Sequence, residues 1–210
     1  MDLHTLLAPG GRSKLRRSNH TRTNVGGWPV VLQTLLNGQA EEPMMVGTLV
    51  VNRPDHPWPS EVRVSKSQEK YRVESMAGEL LTVHTPDRTV VFRPDQELPD
   101  QFDHGPWGVV GTHSGAIERR DPYDWTLDDF TVPTKPPVQV QFLGLPAWEI
   151  ELAPPHSKPA PLVMIVDATH GMTYAERSLR YGDLYSWTNI QVVEAMSDEL
   201  FEYSGPTHSH

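Results

Sequence analysis

The stretch "APLVMIVDATHGMTYAERSLR", residues 160–180, decides how the chain is read. Its first half is a short β-branched, apolar run, and its second half is of mixed polarity. Between them stand Asp167, Thr169 and Gly171. Asp bonds local backbone amides and Gly supplies positive φ, so the two runs read as strands joined by a tight hairpin. Asp167 and His170 also invite a catalytic or metal reading. Such a pair needs a nucleophile or a third group at a defined place, and the sequence offers neither. The expectation is a hairpin without chemistry.

Working outward, the same two-residue period recurs on both sides. "MMVGTLVV" (44–51), "SEVRVS" (60–65), "EKYRVES" (69–75), "GELLTVHT" (78–85) and "RTVVFRP" (88–94) read as strands with short turn-like links. "VQVQFLG" (138–144), "PAWEIELAP" (146–154), "PLVMIVD" (161–167), "MTYAERSLR" (172–180) and "WTNIQVVE" (187–194) continue the series, with "SDELFEY" (197–203) behind them. Val62 and Val64 alternate with Glu61 and Arg63, which gives one dry and one wet face. Short links imply antiparallel neighbours. No long helical pattern alternates with the strands, so a parallel α/β fold is not expected. The fold class is mainly β (α+β), a strongly curved antiparallel sheet of about ten strands.

Only "WPVVLQTLLNGQ" (28–39) has a helical period, with Trp28, Val31, Leu32, Leu35 and Leu36 on one face. Residues 1–27 read as a disordered tail, 28–203 as a single domain and 204–210 as a loose end. Residues 94–137 are rich in Pro, Gly and Asp. They are too long for an ordinary connection and read as a loop or helical insertion, with one or two helical turns at 121–130.

Composition removes whole classes of function. The chain of 210 residues carries a net charge of -9, and its one basic cluster, "RSKLRR" (12–17), lies in the tail, so no nucleic-acid face is expected. There is no cysteine, which excludes disulfides, thiol catalysis and cysteine-held metals. No apolar run is long enough for an integral membrane helix. "LHTLLA" is too short for a signal core and precedes the basic residues, so the expected compartment is cytoplasmic, or exported if the start is misassigned or a signal has been removed. The ten histidines show no i, i+4 pair on a helix; His104 and His113, with Asp103 and Asp121 nearby, read as loop residues. "GTHSGA" (111–116) is not a nucleophile elbow, and no phosphate-binding glycine motif occurs. Neither cofactor nor metal is called for, and no enzyme is expected.

About ten one-sided strands have more apolar surface than one short helix can cover. The remainder closes on itself as a barrel or forms a ligand cavity. The order of "YRVE" (71–74), "TPDRTVVFRP" (85–94), "DPYDW" (121–125) and "GLPAWEIELAPP" (144–155), ending in the 161–177 hairpin and "DELF" (198–201), resembles the LolA/RseB-like half-barrel superfamily of lipoprotein carriers and sigma-factor regulators, its actinobacterial branches best of all. The resemblance covers about residues 28–203. It implies an open half-barrel with helices on the concave side, a lipid acyl chain or similar apolar small molecule bound there, and no catalytic residues. The lining expected on this reading is Val64, Tyr71, Val73, Phe92, Phe142, Trp148, Ile150 and Met164. The alternative is a regulatory module with a filled core and a protein partner, met through the acidic insertion or an edge strand.

Overall fold

The computed structural model describes residues 43–52, 60–103, 117, 133–153, 161–180 and 182–209. The helix expected at 28–39, the turns at 121–130, the tail at 1–27 and the histidines at 104 and 113 lie outside the described residues. Among the described residues twelve strands form one curved sheet. They are β1 (Met44–Val51), β2 (Glu61–Ser67), β3 (Lys70–Ser75), β4 (Leu80–Thr85), β5 (Arg88–Val91), β6 (Asp100–Asp103), β7 (Val138–Phe142), β8 (Leu145–Leu152), β9 (Leu162–Asp167), β10 (Thr173–Ser178), β11 (Gly182–Val193) and β12 (His208–Ser209).

The strand order is β12-β6-β5-β4-β3-β2-β1-β11-β10-β9-β8-β7. Two meanders, β1 to β6 and β7 to β11, are therefore joined along β1 and β11. All pairs are antiparallel except β12 on β6, which is parallel and makes the sheet mixed. The chain between β6 and β7 must pass from near one edge of the sheet to the other. Ten strand spacings at about 4.8 Å make a path of about 48 Å along the sheet. This is why residues 104–137 are so much longer than a hairpin loop.

Three readings need correction. Asp100–Asp103 is a strand inside the stretch read as strandless; "DQFD" has no apolar alternation and is placed by its ladder with β5. β11 begins at Gly182, not near 187, and carries irregular pairing with both of its neighbours. The expected loose end contains β12, whose His208 N–H donates to the Pro99 carbonyl at 2.9 Å.

The alternation seen in sequence is also seen in burial. In β1 the odd residues Met45, Leu49 and Val51 are buried, and in β3 Tyr71 and Val73. Directly opposed residues share a face. Val64 opposes both Gly47 and Val73, so one inner face runs through β1, β2 and β3. Gly47 is required by close approach: a Cβ there would lie 2.7 Å from the Trp187 ring. Ile117, from the insertion, is fully buried in the same core cluster as Leu49, Val62 and Trp187. On the outer face a 3-10 helix, Asp198–Phe201, packs against β3 and β4 and buries Phe201. It is held by Lys70 to Asp198 at 2.7 Å and by Arg72 to the Leu200 carbonyl at 3.3 Å.

Candidate functional site: the inner face of the sheet

The register carries one face across the whole sheet. From β1, Val51 opposes Tyr185, Tyr185 opposes Glu176, Glu176 opposes Met164, and Met164 opposes Ile150. Val64, Tyr71, Val73, Ile150, Met164 and Trp148 are thus on the same side. The first five are at most 1% exposed, and Trp148 is half-buried. The other two expected lining residues, Phe142 and Phe92, do not share this parity. Phe142 alternates with Gln141 to the parity opposite that of Ile150 and Met164; its ring stacks on Tyr174 at 5.4 Å, and both pack with the main core that holds Val64, Tyr71 and Val73. Phe92 follows β5 and meets Tyr203 edge-on at 5.0 Å. A two-residue period does not by itself say which parity faces inward.

The inner face is not uniformly apolar. Ile150, Leu152, Met164 and Val166, with Trp148, form an apolar cluster separate from the main core. Between the two lies β10, whose Thr173, Glu176 and Ser178 are buried. Thr173 Oγ1 has no hydrogen-bond partner among the described residues. A bulge between Thr173 and Ala175 turns Tyr174 away from this face. A second polar feature crosses the other arm. Lys66, Tyr71, His84 and Thr89 oppose one another in a row over β2, β3, β4 and β5. The His84 ring stacks on Tyr71 at 4.6 Å, and its Nδ1 lies 2.7 Å from Thr89 Oγ1. The Lys66 ammonium donates to the Gln68 carbonyl at 2.9 Å. Charged residues in a strand of otherwise apolar parity were visible in "SEVRVSK", but their common row was not.

Asp167 and His170 form the hairpin that the sequence indicates. Asp167 N–H donates to the Met172 carbonyl at 2.7 Å, and Gly171, at φ 77°, donates to the Asp167 carbonyl. Asp167 Oδ2 accepts from the His170 backbone at 2.6 Å and lies 2.9 Å from His170 Nδ1. Tyr174 also bonds this carboxylate. Burial first, and then the Asp167 charge, push the Tyr174 phenol well above the usual tyrosine range. The carboxylate is spent on clamping the turn. Among the described residues no group of three metal-ligating side chains occurs, and no helix is long and apolar enough to cross a membrane.

Neither a protein-family model nor a curated protein sequence matches the chain. Its fold is similar to solved structures. MucB matches at a TM-score of 0.53 and 15% identity, over 82% of this chain and 62% of that one. The chain thus spans less than two thirds of MucB. The Pseudomonas aeruginosa MucA/MucB complex matches at 0.49 and 14%, over 82% and 61%. A LolA superfamily protein from Nitrosomonas europaea matches at 0.34 and 13%, over 82% and 97%. The chain has a fold similar to that of MucB, and at this identity the likeness speaks for fold alone.

Proposed function

We propose that this chain is a non-enzymatic binding protein that holds an apolar, acyl-chain-like ligand against the inner face of its sheet. The observation that supports this most is the second apolar cluster, Ile150, Leu152, Met164 and Val166, beside Trp148 and apart from the main core. Two strands build it by direct opposition, Ile150 to Met164 and Trp148 to Val166. An acyl chain gains about 0.8 kcal/mol per buried CH₂, so about ten carbons give ~8 kcal/mol gross, without any special polar group. The row Lys66, Tyr71, His84 and Thr89 suits the polar end of such an amphiphile.

Val64, Ile150 and Met164 are fully buried, so a ligand competes with the protein's own packing for this face. The same burial favours the second reading, a regulatory interaction module with a filled face. Organic extraction and mass spectrometry of the purified full chain, with displacement of a fluorescent fatty-acid probe, separate the two. The expected result is a bound acyl species and a probe that Met164→Asp weakens at least tenfold. A clean apo mass together with no probe binding sinks the carrier reading and leaves the module.

A further inference from the structure

We propose that two copies of this chain pair through β7, edge to edge, as an antiparallel two-fold contact. The two ends of the sheet differ. At one end β6 is covered by β12, the chain's own C-terminal strand. At the other, β7 pairs with β8 on one side and, among the described residues, with nothing on its other side. The β7–β8 connection is a two-residue loop between the opposed pair Phe142 and Leu145, with φ 50° at Leu143 and 81° at Gly144. In such a hairpin the closing pair exchanges both hydrogen bonds, and every second pair after it does the same. These are Val140 with Ala147 and Val138 with Glu149. Gln139 and Gln141 therefore turn their backbone N–H and C=O outward.

Exposed edges are normally blunted by a charge, a proline, a bulge or a cover. "VQVQF" (138–142) has no charge, proline or bulge within it, and Val138 and Leu143 are each 49% exposed. Pro136 and Pro137 end the pairable stretch on one side and the Leu143–Gly144 turn ends it on the other. That window fixes the register of self-pairing on Val140. Gln139 then opposes Gln141 of the second copy twice, and their outward amides bond each other. Val138 opposes Phe142 on the other face. The contact is self-complementary, as a two-fold interface requires. Each copy carries a net charge of -9, so association is opposed at long range, and an uncharged strand is where two copies meet with no like charges opposed. The contact is independent of whether the inner face holds a ligand.

Sedimentation velocity on the full chain, from micromolar to several hundred micromolar, tests this. The expected result is a weak, concentration-dependent dimer that strengthens with salt as the repulsion is screened. Gln141→Pro removes only an outward N–H, so it should weaken the dimer at least tenfold while thermal unfolding of the monomer is kept. Val138→Lys, at an exposed position, should do the same and decides the matter if the proline variant does not fold. A monomer at every concentration overturns the proposal, as does a dimer that Val138→Lys leaves intact.

Discussion

Replacing Gly47 by alanine should destabilise the sheet where its two meanders join. The added Cβ would lie 2.7 and 2.8 Å from Trp187 Cζ3 and Cε3, and against the carbonyl oxygen of Asn189. Trp187 is 1% exposed, so its ring has no free space to swing into, and the carbonyl belongs to the β11 backbone. Overpacking of a closed core costs roughly 1–3 kcal/mol, and two rigid neighbours put this site at the upper end. Alanine also restricts the unfolded chain, which returns about 0.4–1 kcal/mol. The net loss is therefore about 2 kcal/mol, or a fall in Tm of about 4–8 °C for a domain of this size. Calorimetry or circular dichroism on the full chain reads it directly. Trp187→Phe removes the two ring carbons that the methyl meets. The double variant should then lose less than the sum of the singles, with only the Asn189 contact left. An unchanged or higher Tm for Gly47→Ala, or strict additivity in the double variant, refutes the packing argument.

Asp167→Ala should cost about 1–3 kcal/mol by leaving the 170 amide and the Tyr174 hydroxyl without their acceptor, and should leave probe binding unchanged; binding lost at full stability would reinstate the pair as functional. Tyr174 has a raised folded pKa, so its contribution to stability is intact below the unfolded value near ~10 and declines as pH rises above it. Denaturation followed above that pH should show a falling stability that Tyr174→Phe flattens. Met164→Ala should cost about 2–5 kcal/mol, because the side chain is fully buried against Ile150; a loss well below this would mean that the inner face is loosely packed at β9. Removing residues 204–210 should leave Tm nearly unchanged yet speed hydrogen exchange across Asp100–Asp103, since β12 gives β6 its only outer cover among the described residues.

Much of the fold was legible because the physics behind it is local. Val62 and Val64 between charges, or Tyr71 and Val73 between Arg72 and Glu74, announce a strand within a few residues. Asp167 and Gly171 announce a turn by their own side-chain and backbone preferences. The strands of both meanders other than β6, their antiparallel sense within each meander and the turn at Asp167–Gly171 all follow from such short windows. What depends on distant partners was not readable. Asp100–Asp103 is a strand because β5 offers it a ladder, not because of its composition. The parallel β12 contact, the joining of the meanders along β1 and β11, and the bulge that shifts Tyr174 to the parity of Phe142 are settled by which backbones meet. Parity is the sharpest case. Val64, Tyr71, Val73, Ile150, Met164 and Trp148 share one parity in the register but fall in two apolar clusters, and Phe142, of the other parity, packs against the first of them, because a period of two marks a strand but not its inward side. That choice is made only when the register of the whole sheet decides which row the core can bury.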